Sequence, residues 1–105
     1  MKEKSVSELK AMIDSGEDFQ LIDVREPNEF DLCNINGTLI PMNSIPDHIA
    51  EISKDKPVVI HCKAGGRSAR IIQYLEESHG FQNLYNLKGG ILAWANEIDH
   101  SMPTY

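Results

Sequence analysis

Cys62 is the residue of this chain best placed to act as a nucleophile. It follows the strand-forming run Val58-Val59-Ile60-His61 and precedes Lys63-Ala64-Gly65-Gly66-Arg67-Ser68, a short loop that opens into a helical segment. The two glycines permit a curl in which successive backbone N–H groups converge on one point, and a helix N-terminus adds partial positive charge there. A thiol at that focus ionises more readily than a free cysteine, because the thiolate gains hydrogen bonds and a nearby guanidinium. A merely buried cysteine leaves the glycine pair and Arg67 unexplained. The expected donors are the amides from Lys63 to Arg67, aimed by Gly65 or Gly66 in dihedrals closed to most residues. Arg67, with Lys63, adds positive charge for an anionic substrate, or else forms a structural salt bridge to Asp23 or Glu26.

Other reactive side chains have weaker claims. His61 precedes Cys62 along a strand, where adjacent side chains point to opposite faces, so its ring should turn away from the sulfur. Asp23 and Arg25 are expected to pair with loop residues rather than to transfer protons, with Lys88 supporting the site from a third strand end. Cys33 reads as a buried free thiol and Trp94 as core. No Cys-x-x-Cys or His-x-x-x-His spacing points to a metal, and no cofactor is expected.

The elements that must position these groups alternate between strand and helix. Ser5-Val6 reads as a short first strand and Ser7 as a helix N-cap, followed by Leu9, Met12 and Ile13 at helical spacing until Gly16. Phe19 to Val24 is an apolar strand of the kind buried on both faces. Pro27-Asn28-Glu29-Phe30 is a helical turn, Gly37-Thr38-Leu39-Ile40 a third strand, and Pro46 to Ile52 a short helix. After the cysteine loop, Ala69 to Ser78 forms a helix whose buried stripe is Ile71, Ile72, Leu75 and His79, ending near Gly80. Asn83 to Leu87 alternates as a strand does, and Lys88-Gly89-Gly90 turns into a last helix carrying Ile91, Leu92, Trp94 and Ile98. His100 to Tyr105 reads as a loose tail. This order predicts a single α/β domain over residues 1–105, a mainly parallel sheet covered by helices on both faces. Such sheets bind ligands beyond the carboxyl ends of their strands, where Asp23-Val24-Arg25, the Cys62 loop and Leu87-Lys88-Gly89 should converge.

The sequence resembles the rhodanese family. Cys62, Gly65, Arg67 and Ser68 match its active loop, Cys-x-x-Gly-x-Arg-Ser; Asp23-Val24-Arg25-Glu26 with Glu29-Phe30, Ile35-x-Gly37 with Ile40-Pro41, and Gly89-Gly90-Ile91 with Trp94 follow the family's order and spacing. Cys33-Asn34 stands where many rhodaneses have Gly-His. With Leu39-Ile40-Pro41 and Ile45-Pro46, this looks like the rhodanese domains attached to enzymes that activate ubiquitin-like sulfur carriers. The resemblance implies a five-stranded sheet and a sulfurtransferase. Cys62 would take sulfane sulfur from a thiosulfate-like donor as a persulfide, the loop from Lys63 to Ser68 would cradle it, and a thiol, cyanide or a sulfur-carrier protein would accept it. Two rival readings remain open. A Cys-based phosphatase or arsenate reductase uses Cys-x5-Arg, whereas only four residues separate Cys62 from Arg67. A non-catalytic docking module of the same fold would not need Cys62.

Composition narrows the partners. Of 105 residues 41% are hydrophobic, enough for one core, and 10 basic against 16 acidic residues give a formal charge of -6 with no basic block, which argues against nucleic acid. The polar start, Met1-Lys2-Glu3-Lys4-Ser5, is followed by no apolar run, so neither a secretory signal nor a membrane span is expected. A nucleophilic thiol needs a reducing compartment, so the expectation is a cytoplasmic protein with two free thiols.

Overall fold

The computed structural model describes residues 1–105. Strands β1 (Glu3–Lys4), β2 (Gln20–Asp23), β3 (Thr38–Leu39), β4 (Val58–His61) and β5 (Leu84–Leu87) alternate with helices α1 (Val6–Asp14), α2 (Pro27–Leu32), α3 (Gly66–His79) and α4 (Gly90–Glu97). The strands form one sheet in the order β1-β5-β4-β2-β3, with every pairing parallel. Parallel neighbours cannot be joined by a hairpin, so each return crosses a face of the sheet and both faces become covered. No helix is long and apolar enough to cross a membrane.

The apolar residues of β4, with Cys62 just beyond it, divide between two apolar clusters. Val58, Ile60 and Cys62 pack with Ile71, Ile72 and Leu75 of α3. Val59 packs with Leu9 and Met12 of α1 and with Ile91 and Trp94 of α4. Full burial of each such side chain contributes roughly 1.5–3 kcal/mol, so the pleat of β4 is held in one register. That register sends Cys62 toward α3 and His61 to the Val59 side, as strand alternation predicts.

Several local expectations are corrected. The first strand is Glu3–Lys4 rather than Ser5-Val6, and the N-cap is Ser5, not Ser7: its hydroxyl accepts from the Glu8 amide while Glu8 accepts from the Ser5 amide. This reciprocal cap leaves Ser7 in the first turn. Ile13 lies outside the buried stripe and is 43% exposed. Pro46 to Ile52 is not an α-helix but parts of two 3-10 turns, Met42–Asp47 and Ile49–Glu51, because Pro46 lacks the N–H that a continuous helix needs. The segment after His100 is not loose: Tyr105 is half-buried and hydrogen-bonded to Arg25 and Glu29.

Candidate active site

Helix α3 begins at Gly66, three residues before the expected Ala69, so Gly66, Arg67 and Ser68 form its first turn. Their amides have no partner inside the helix, and the N-cap residue, Gly65, has no side chain to offer. Cys62 sulfur takes that place. The Gly65 N–H donates to Sγ at 3.1 Å, and Ser68 Oγ lies 3.3 Å from Sγ. Gly65, rather than Gly66, holds the conformation that glycine permits, with φ +115, and turns its amide onto the sulfur. Cys62 is 1% exposed. Burial pushes its thiol up, but the Ser68 hydroxyl and the Ser68, Gly65 and Ala64 amides outweigh burial and bring it below the ordinary value.

Two further elements hold the loop. From β5, the buried Asn86 donates through Nδ2 to the Gly65 carbonyl at 3.1 Å, and the Ser68 hydroxyl donates to Asn86 Oδ1 at 2.6 Å. From α4, the Ile91 and Leu92 amides donate to the carbonyls of Cys62 and Lys63 at 3.0 and 3.1 Å. Two amides of the first turn of α4 are thus satisfied by the loop backbone. Gly90 makes both approaches possible: a Cβ there would stand 2.4 Å from the Lys63 oxygen and 2.7 Å from the Cys62 oxygen.

Arg67 reaches across to α2. Its guanidinium makes a two-pronged pair with Glu29 of α2, at 2.7 and 2.9 Å, so the partner is Glu29 and not Asp23 or Glu26. Tyr105 donates to Glu29 at 2.7 Å, accepts from Arg25 at 3.0 Å, and carries the Lys63 ammonium 4.4 Å above its ring. The Arg67 hydrogen bonds outweigh burial and hold the Glu29 carboxyl down to about 2. Since its ordinary value is 4.5, this pair stabilises the fold fully above that pH and the contribution is lost as pH falls toward 2. The Arg67 side chain is 33% exposed, and solvent screening limits the effect to about 1 kcal/mol. Thermal unfolding should therefore show wild type above Glu29→Gln near neutral pH, with the gap closing on acidification. A gap independent of pH would count against a charged pair.

Asp23 and Arg25 do not pair with the loop. Both are fully buried and bind one another, Arg25 Nε and Nη2 reaching Asp23 at 3.0 and 2.8 Å. Arg25 also donates to the Cys33 carbonyl at 2.7 Å and the Glu29 carbonyl at 3.3 Å, closing the C-terminus of α2. Removing one partner of such a pair strands a buried charge, so the pair acts as scaffold. His61 joins this group, its Nε2 3.6 Å from Asp23 Oδ2, and burial keeps its ring below the ordinary value. Lys88 is exposed and borders a small hollow with Ser5, Val6 and Glu97, with no ion pair to the loop. Cys33 and Cys62 are both free thiols and lie in different apolar clusters. A hollow of about 460 Å³ beside Phe19, Leu21, Ile35 and Trp94 contains none of these site residues.

Glu29, Asn86, Gly90 and Tyr105 were not among the expected site residues. Asn86 carried a readable signal: an amide within a strand buried among helices must find partners. The pairing of Tyr105 had none, because nothing local to a C-terminal tyrosine points to Arg25 or Glu29.

Comparison with known proteins agrees with this fold. The model of the rhodanese-like domain matches residues 5–97. The chain is 39% identical over 101 residues to the probable adenylyltransferase/sulfurtransferase MoeZ of Mycobacterium tuberculosis, covering 93% of this chain and 26% of that protein. It is 39% identical over 98 residues to the putative sulfurtransferase YtwF of Bacillus subtilis, covering 92% of this chain and 93% of the other. It thus spans nearly all of YtwF but under a third of the longer curated relatives it matches. The crystal structure of a rhodanese-like domain protein from Staphylococcus aureus superposes with a TM-score of 0.83 at 33% identity, covering 100% of this chain and 99% of that one. With the sheet, the cysteine loop and these likenesses in agreement, the chain belongs to the rhodanese-like domain family.

Proposed function

We propose that this chain is a sulfurtransferase in which Cys62 carries the transferred sulfur as a persulfide. The observation behind this reading is the position of Cys62 sulfur at the N-terminus of α3, 3.1 Å from the Gly65 amide. The thiolate attacks the sulfane sulfur of a donor such as thiosulfate, a Cys62 S–S bond forms, and the donor's S–S bond breaks with its electron pair leaving on sulfite. A thiolate, cyanide or a sulfur-carrier protein then attacks the terminal sulfur and returns Cys62 to the thiolate. Amides from Ala64 to Ser68 stabilise the anion at each stage. Loss of the thiol by oxidation would end this cycle, which fits a reducing compartment such as the cytoplasm.

The engagement of Arg67 with Glu29 favours sulfur over phosphate, since an oxyanion-cleaving loop needs its arginine on the transferred group. The test is intact-mass measurement after thiosulfate treatment, then cyanide, with aryl phosphate hydrolysis assayed in parallel. Wild type should gain one sulfur atom, lose it to cyanide, and leave the phosphate ester intact. Phosphate ester hydrolysis with no sulfur uptake, from thiosulfate or from an alkyl persulfide, would overturn the proposal.

A further inference from the structure

The Ser68 hydroxyl has one hydrogen and three acceptors within reach. Asn86 Oδ1 is at 2.6 Å, the Gly65 carbonyl at 3.2 Å and Cys62 Sγ at 3.3 Å. The Asn86 amide cannot turn over to release it, because Oδ1 would then face the Gly65 carbonyl oxygen that Nδ2 now meets at 3.1 Å. While Cys62 is a thiol, every group is satisfied: the S–H donates to Ser68 Oγ and the Ser68 hydroxyl donates to Asn86. When Cys62 ionises, either a Ser68 lone pair faces the thiolate, or the hydroxyl swings to the sulfur and leaves the buried Asn86 carbonyl without its donor.

We infer that Asn86 is a positioning residue that competes with Cys62 sulfur for the single hydroxyl hydrogen of Ser68, so that strand β5 adjusts how readily the nucleophile forms. The inference rests on the reading of Cys62 as the nucleophile. Thiol and thiolate states differ in where that hydrogen lies, and Asn86 favours the thiol. The charged and titratable groups around Cys62 are Lys63 in the loop, Arg67 of α3 with its partner Glu29 of α2, Tyr105 beside Lys63, and His61, Asp23 and Arg25 from β4, β2 and the residues after β2. None of them hydrogen-bonds through its side chain to Ser68 or Asn86. The coupling therefore runs through one hydroxyl.

The experiment is the pH profile of Cys62 alkylation, read by peptide mapping, in wild type, Asn86→Ala, Ser68→Ala and the double variant. Ser68→Ala should raise the midpoint. Asn86→Ala should lower it by about half a pH unit, roughly a threefold faster reaction below the midpoint, but only while Ser68 is present. Asn86→Leu, closer in volume, serves the same comparison if the alanine variant unfolds. An unchanged or raised midpoint with Ser68 in place, or an equal fall in the Ser68→Ala background, overturns the inference. A general loosening of the loop would move both backgrounds alike. A wild-type midpoint at the ordinary thiol value would count separately against Cys62 as the nucleophile, and the four-way comparison would still decide the coupling.

Discussion

Cys62→Ser will take up no sulfur from thiosulfate or from an alkyl persulfide, while Cys33→Ser will load one atom as wild type does. The serine hydroxyl is almost wholly protonated near neutral pH and forms no stable bond to sulfane sulfur, so the loss should be complete. The fold should survive, because a serine oxygen can still accept from the Gly65 amide and stand near Ser68, preserving the N-terminal cap of α3. Cys33 lies on the other side of the sheet, packed with Val6, Leu9 and Trp94 and 3.9 Å from Arg25 Nη1. Its replacement costs on the order of 1 kcal/mol of stability and should leave loading unchanged. Intact mass followed by peptide mapping decides the matter. Loading that persists in Cys62→Ser and disappears in Cys33→Ser would reverse the assignment.

The second large effect is expected far along the chain from the cysteine. Gly90→Ala should abolish sulfur loading and lower stability by roughly 2–5 kcal/mol, the sum of a left-handed backbone strain and an overlap that the loop must yield to. Gly90 has φ +61, and an added Cβ would lie 2.4 Å from the Lys63 oxygen, 2.6 Å from the Lys63 carbonyl carbon and 2.7 Å from the Cys62 oxygen. These are backbone atoms, which cannot rotate aside as a side chain would. Relief requires either α4 or the loop to move. Either motion breaks the Ile91 and Leu92 bonds to the loop carbonyls and shifts the Gly65 amide that aims at the sulfur. Gly16→Ala is the control: it has a similar φ of +68 but no atom within 4 Å of the added carbon, so it should show only the strain of about 1–2 kcal/mol. Chemical denaturation and the loading assay on both variants test this. Equal stability in the two, with normal loading in Gly90→Ala, would refute the clamp.

The chain's local patterns made a large part of this legible. Apolar runs of strand length alternating with amphipathic helices are a one-dimensional record of a parallel sheet, because each strand must be buried on two faces and each return must cross one. The glycine loop after Val58-Val59-Ile60-His61-Cys62 likewise carries its chemistry locally: strand end, curl and helix start are contiguous, so Cys62 and its amide donors arrive together. Strand alternation also separated His61 from the sulfur. Boundaries were less legible where hydrogen-bond competition decides them, as at the Ser5 cap and the 3-10 turns around Pro46.

The sequence by itself thus determined the fold class, the candidate nucleophile and the end of the sheet that carries it. Tertiary structure alone decided which charges and amides meet there. Arg67 finds Glu29 across 38 positions, Ser68 finds Asn86 across 18, and Tyr105 finds Glu29 across 76. Asp23 and Arg25, which convergence at the strand ends assigned to the loop, instead neutralise each other on the α1/α4 side. The physical reason is range. Propensity, alternation and capping act over a few residues and are written in neighbouring letters, whereas a hydrogen bond between distant residues exists only after helices and sheet have packed and placed both partners within about 3 Å.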